Sequence, residues 1–172
     1  MTTPPESGSR LSHVDSRGNA RMVDVGTKPV IPRRAVAECF FRAERATIDA
    51  VMQGALPKGE ALPVARIAGI NAAKRCHDLI PLCHALPLDF AGVEFERSEQ
   101  GAIRIIATAA ATARTGVEME ALTAATVAAL TLYDMTKAID KQLQIDCVRL
   151  VSKVKGSADP VAGDPERPDC AE

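Results

Sequence analysis

Apolar residues recur along the chain with two different spacings, and the switches between them predict the order of elements. Ala35-Val-Ala-Glu-Cys-Phe-Phe-Arg42 is a nearly unbroken apolar run of the kind found in strands. Thr47 follows as a candidate helix cap, with Ile48, Val51 and Met52 on one face of a short helix that Gly54 stops. After a turn at Lys58-Gly59, residues 65–79 place Ile67, Ile70 and Ala73 at helical spacing. Pro63 sits near the start, where its missing N–H is tolerated, and Pro81 closes the segment. Val93-Glu-Phe-Glu96 and Ile103-Arg-Ile105 alternate with period two around Ser98-Glu-Gln-Gly101, a hairpin pattern. Residues 117–140 read as one long alanine-rich helix, and residues 145–151 as a last strand. This order of strand, helices, hairpin, helix and strand predicts an α+β sandwich, with helices packed on one face of a mainly antiparallel sheet.

The two ends break the pattern. Residues 1–10 are rich in Pro, Ser, Thr and Gly, and residues 155–172 mix Pro, Gly and charge with almost no apolar side chains. Both read as loose tails, which leaves residues 11–154 as a single domain. At 172 residues, 47% apolar and 25% charged, the chain has enough material for one substantial core. Its 21 basic and 22 acidic residues give a net charge of −1, which leaves no broad electrostatic footprint for nucleic acid or an anionic membrane. A small molecule met by a local cluster of charges is the partner this balance favours. The start, MTTPPESGSR, has no apolar signal core, and the uncharged run over residues 121–133 is too short to span a bilayer. Five cysteines with no C-x-x-C pair indicate neither a disulfide framework nor a zinc ribbon, so a reduced, cytoplasmic setting is expected.

Two features carry candidate chemistry. The first is the pair of dipeptides Cys76-His77 and Cys83-His84, which looks like half of a zinc site but finds no further Cys/His pair to complete four ligands. Cys83 and His84 are also a poor nucleophile and base, since adjacent residues of an extended segment point to opposite sides. The second lies on the long helix, where Glu120, Thr123, Val127, Leu130, Asp134 and Lys137 share one stripe, an apolar middle continued by charges at both ends. The stripe is expected to be partly buried, and its Asp134–Lys137 pair to hold pKa values shifted by that burial. Glu120 and Asp134 stand ~21 Å apart along the axis, too far for one small ligand to touch both. If both serve one site, two copies must meet with their helices running oppositely.

The motifs resemble one family. Met22-Val-Asp24-Val, Ala65-Arg-Ile-Ala-Gly-Ile-Asn-Ala-Ala-Lys74-Arg75, Leu79-Ile-Pro-Leu-Cys83-His84, Thr115-Gly-Val-Glu-Met-Glu120-Ala-Leu-Thr-Ala and Tyr133-Asp134-Met-Thr-Lys137-Ala strongly resemble the cyclic pyranopterin monophosphate synthases, the MoaC proteins of molybdenum cofactor biosynthesis. The likeness runs over residues 11 to about 153 in five ordered segments. It implies a ferredoxin-like α+β fold, a homohexamer built from three dimers, and active sites at the dimer interface. It implies a lyase that rearranges (8S)-3',8-cyclo-7,8-dihydroguanosine 5'-triphosphate, made by a radical SAM cyclase, to cyclic pyranopterin monophosphate with loss of diphosphate. No metal or organic cofactor is expected.

Residue by residue, the resemblance makes Asp134 the catalytic aspartate, with Lys137 beside it and Lys58 on a mobile turn as further catalytic groups. Leu82, Cys83 and His84 match a substrate-binding triplet, His84 serving as donor or proton relay. Met119 and Glu120 match a second substrate-contacting segment, which Glu118 adjoins. Lys74 and Lys153 are expected to contact the phosphates or the ring, since expelling diphosphate builds charge that cations must hold. Arg75 is as well suited to stitching its helix to a neighbouring subunit, and Asp24 and Arg66 to structural pairing. The chain departs from the family pattern at Val154-Lys155-Gly156, where one glycine of a closing loop is replaced, and at Arg114, where a lysine is common. Those departures leave open a second reading, an idle oligomer that binds a purine nucleotide or pterin. A small zinc protein built on the Cys-His segment is the third.

Overall fold

The computed structural model describes residues 17–156. Eight elements follow one another as β1 (Ile31–Arg42), α1 (Arg45–Met52), α2 (Ala61–Lys74), α3 (Cys76–Leu79), β2 (Phe90–Arg97), β3 (Ile103–Ala113), α4 (Glu118–Thr136) and β4 (Gln144–Lys155). The strands form one sheet in the order β2-β3-β1-β4, and every neighbouring pair is antiparallel. This is the α+β sandwich that the element order predicts, in the ferredoxin-like split βαβ arrangement that the resemblance implies. The tail at residues 1–10 lies outside the described residues. So does the C-terminal tail beyond Gly156, while Lys155, assigned to that tail by composition, still pairs with Arg33 at the end of β4.

Alternation on β1 and β3 builds the core. Ala35, Ala37, Cys39 and Phe41 of β1 and Ile103, Ile105, Ala107, Ala109 and Ala111 of β3 are buried on the face that the helices cover. Against them α4 lays Ala121, Ala124, Ala125, Ala128, Ala129 and Leu132, all buried. The small side chains let helix and sheet approach closely, and Gly69 of α2 carries this furthest. A Cβ there would stand 2.8 Å from the Ala124 carbonyl oxygen and 2.9 Å from Val93 Cγ2, so α2 seats directly on α4 only because the residue is glycine.

Several boundaries differ from those the sequence predicts. The second helix begins at Ala61, with Pro63 inside its first turn, where backbone N–H groups have no helical partner to lose. It breaks at Arg75, whose φ −113° and ψ 18° leave helical geometry, so Cys76–Leu79 is a separate turn. Thr47 is no cap, because α1 starts at Arg45 after an extended Glu44. Thr47 is buried and hydrogen-bonds Asp140, which also accepts from the backbone N–H groups of Glu44 and Gln142, each at 2.8 Å. Burial alone would raise the Asp140 carboxyl, but these donors outweigh it and hold its pKa below the ordinary value.

The uncovered face of the sheet carries a buried ion network. Glu38 is only 1% exposed, with Arg104 Nη2 2.6 Å from Oε2 and Arg149 Nε 2.6 Å from Oε1. Both carboxylate oxygens are thus satisfied by guanidinium groups from the two strands flanking β1.

Candidate active site

The candidate residues gather at opposite ends of α4. At its N-terminal end a cavity of about 330 Å³ is lined by Leu82, Cys83, His84, Glu118, Met119 and Glu120, and by Val23, Val25 and Lys28 of the segment preceding β1. Glu118 and Glu120 lie in the first turn of the helix, where its dipole favours negative charge. The carboxylate of Glu118 packs over Gly116, so a side chain there would have to displace it. Lys153 of β4 reaches Glu118 at 3.5 Å. Glu120 is 4% exposed, and burial pushes its carboxyl above the ordinary range, helped by the charge of Glu118 and opposed by its own backbone N–H, His77 and His84.

The Cys-His segment takes two roles. His84 Nε2 lies 2.9 Å from the Val23 carbonyl oxygen, so as a donor there it ties the N-terminal segment over the cavity. Cys76 is buried behind the wall, its sulfur 3.5 Å from Thr123 Oγ1 and in hydrogen-bonding contact with Cys83. Burial raises both thiols, Cys76 to about 11, so each is protonated at neutral pH and neither is a ready nucleophile. Among the described residues no group of three or more His, Cys, Asp or Glu side chains is placed to hold a metal ion.

At the C-terminal end the chemistry is of another kind. Lys137 Nζ stands 2.7 Å from Asp134 Oδ1, and Lys58 Nζ stands 4.0 Å from Oδ2 while donating to the Asp134 carbonyl oxygen at 3.0 Å. All three side chains are open to solvent, which corrects the expectation of a buried pair. The hydrogen bond to Lys137, then the charges of Lys137 and Lys58, hold the Asp134 carboxyl below its usual range, and the same hydrogen bond raises Lys137. Of the stripe leading there, Thr123 and Val127 are half-buried as expected and Leu130 is 53% exposed, because the fully buried face of α4 is the alanine face.

The continuous helix Glu118–Thr136 fixes the distance between the ends, ~21 Å from Glu120 to Asp134. Lys74 joins neither group. It is exposed at the end of α2, and no hydrogen bond or ion pair ties it to either cluster. Arg66 donates to the Val93 carbonyl and lies over Phe95, a structural role. Val154 and Lys155 continue β4 as ladder partners of Arg34 and Arg33, rather than forming a loop before Gly156. The cavity-lining residues that sequence reasoning left out of the site are Val23, Val25, Lys28, Leu86, Thr115 and Gly116. Val23 and Val25 stood in the motif Met22-Val-Asp24-Val, and Thr115 and Gly116 in Thr115-Gly-Val-Glu, both read as motifs but left outside the site, whereas Lys28 and Leu86 had no signal.

The sequence profile of the MoaC family matches residues 22–156, which takes in both ends of α4. The chain belongs to the MoaC family. It is 54% identical over 153 residues to a protein of Chloroflexus aggregans named cyclic pyranopterin monophosphate synthase, covering 87% of this chain and 93% of that one. A protein of Novosphingobium aromaticivorans with the same name is 54% identical over 148 residues, 86% of this chain and 94% of its own. One of Nostoc sp., also so named, is 50% identical over 155 residues, 90% and 92% of the two chains. In this MoaC chain the matched span begins at Met22, so the segment that His84 ties over the cavity lies within the family domain.

Proposed function

We propose that this chain is a lyase that converts (8S)-3',8-cyclo-7,8-dihydroguanosine 5'-triphosphate to cyclic pyranopterin monophosphate and diphosphate. It acts after a radical SAM cyclase, in the cytoplasm. The observation that carries this reading is the separation of acid–base and binding groups along α4. One substrate meets both only if the cavity of one copy faces the Asp134–Lys137–Lys58 cluster of another, within a homohexamer of three dimers.

The roles follow from the two environments. Glu120, buried and with a raised pKa, accepts from the N–H edge of the guanine-derived ring, with Leu82, Met119 and His84 as walls. Asp134, kept ionised by its lysine, takes protons as the ring opens. Lys137, its pKa raised by Asp134, returns protons as a general acid, and with Lys58 it stands beside the charge that builds as diphosphate leaves. Lys153 adds charge at the cavity, and Lys74 contributes only if docking of a second copy brings it near.

The test is diphosphate release together with the fluorescent oxidised pterin, using purified protein and the cyclised substrate, with Lys137→Ala as control. Turnover by the parent and near silence of the variant support the reading. Substrate binding without diphosphate release, in the parent, would replace the lyase with an idle binder.

No helix among the described residues is long and apolar enough to cross a membrane.

A further inference from the structure

The wall of the cavity holds two thiols in mutual contact, an arrangement the proposed reaction does not use. Cys83 stands in the lining and is half-buried, while Cys76 lies behind it and is 1% exposed. Their side chains are in hydrogen-bonding contact, and Cys76 Sγ also meets Thr123 Oγ1 at 3.5 Å. Cys39, the other free thiol among the described residues, sits apart in the core and donates to the Ala125 carbonyl oxygen at 3.3 Å.

The backbone brings the pair together. The Ile80 N–H donates to the Cys76 carbonyl oxygen at 2.9 Å and the Cys83 N–H to the Ile80 carbonyl oxygen at 3.0 Å, so two successive turns fold the connection back on itself. Pro81 occupies the second position of the later turn, where its fixed φ suits the geometry. The ends of the loop are thus adjacent before any bond forms, and rotation of the half-buried Cys83 side chain is the movement needed to reach an S–S length of about 2.05 Å.

From this geometry we infer that Cys76 and Cys83 form an oxidative modification site, a dithiol that glutathione disulfide converts to an internal disulfide, switching the cavity off. The Cys83 thiolate attacks one sulfur of glutathione disulfide, giving a mixed disulfide and releasing one glutathione thiolate. The Cys76 thiolate then attacks Cys83 Sγ, forming the Cys76–Cys83 bond and expelling the second glutathione thiolate. The two protons lost by the protein thiols end on the two released glutathiones, so one disulfide is reduced as another is made. Burial raises both thiols, but the contact between them lowers Cys83 and raises Cys76, which makes Cys83 the first to react. Glu120 adds negative charge against its thiolate, and exchange at neutral pH is slow. In the disulfide Cys83 Sγ is drawn into the wall, carrying Leu82 and His84 with it. His84 in turn holds the Val23 carbonyl, so the segment over the cavity moves as well. The effect on turnover rests on the lyase reading, whereas the disulfide itself does not.

The experiment equilibrates the full chain with glutathione and glutathione disulfide at several ratios, blocks the remaining free thiols, and weighs the tryptic peptides. Cleavage after Arg75 and Arg97 places both cysteines in one peptide, residues 76–97, with no Lys or Arg between. Under oxidising ratios that peptide should be lighter by two hydrogens and carry no blocking group. Diphosphate release should fall about 10²-fold, the size expected when binding groups are displaced by an ångström, and dithiothreitol should restore both readouts. Cys76→Ser keeps a partner for Thr123 and, before oxidation, should match the parent, as should Cys76→Ala. Under oxidation both variants should carry one glutathione on residues 76–97 in place of the internal link. Their modified fraction should follow the first power of the glutathione concentration, against the second power in the parent. Two free thiols on residues 76–97 at every ratio overturn the inference, and so does a parent that gains only glutathione or a disulfide that leaves turnover unchanged. If the reduced parent shows no turnover, the lyase reading fails, and the peptide mass still decides whether the pair closes.

Discussion

The two ends of α4 carry carboxylates with opposite fates. At the N-terminal end Glu120 is buried beside few compensating charges, and its pKa rises. At the C-terminal end Asp134 is open to water but held by Lys137 and Lys58, and its pKa falls. Desolvation penalises the charged form and a cation rewards it, so burial and pairing act as separate controls. One helix thus presents a carboxylate suited to ligand hydrogen bonding and another kept ionised for proton transfer. If both carboxylates serve one site, as proposed, the rigid helix between them calls for a second copy.

Removing the pairing should have the largest effect. Lys137→Ala takes away the hydrogen bond that holds Asp134 low, and turnover is expected to fall by about 10³-fold, within the range for a general acid–base group. A loss smaller than tenfold in single-turnover assays would detach the C-terminal end from the chemistry.

Glu38 sharpens the comparison, because it is both buried and paired. Glu38→Ala leaves Arg104 and Arg149 facing an empty site, and urea denaturation should show a loss of about 3–5 kcal/mol, as when one partner of a buried ion network is removed. A change below 1 kcal/mol would mean that water replaces the carboxylate without cost.

Gly69 tests how closely α2 is held against α4, the helix that joins the two ends. Gly69→Ala drives a methyl group against the Ala124 carbonyl and Val93, and overpacking of this kind should cost about 1–3 kcal/mol in the same assay. A stabilised variant would show that α2 can slide over α4.

The smallest effect concerns pH. Because burial raises the Glu120 carboxyl in the folded state, folded chains bind its proton more readily than unfolded ones between the ordinary glutamate pKa of 4.5 and the raised value. Stability from this residue is therefore present at low pH and lost as pH rises through that window. The melting temperature of Glu120→Gln should exceed that of the parent at pH 7, with the difference shrinking as pH falls toward 4.5. A difference that does not vary with pH would mean that the carboxyl titrates alike in both states.

The fold was legible because its periodicities are strong. The strand at Ala35–Arg42 and the hairpin around Ser98–Gly101 are local patterns that burial on one face enforces. Strand β3 was seen only at its start, since Ala-Thr-Ala-Ala-Ala-Thr-Ala over residues 107–113 is composed of small residues whose alternation appears only against the helices. The same property hid the buried face of α4. Alanine suits a helix anywhere, so larger side chains at Val127 and Leu130 drew attention to the stripe that the structure leaves partly or wholly exposed. The site divides in the same way. Asp134, Lys137 and Lys58 meet as the motifs suggested, whereas Lys28 enters through a non-periodic segment, brought in by a turn and one histidine bond that no local pattern announces.

Sharing of the site between copies is tested most directly by mixing Asp134→Asn chains with Glu120→Gln chains and measuring diphosphate release. Each variant alone should be nearly inactive. After exchange at equal amounts, half of the dimers are mixed and each has one of its two sites intact, so about a quarter of parental activity should return. No recovery, with subunit exchange demonstrated by native mass spectrometry, would contradict a site built from two copies.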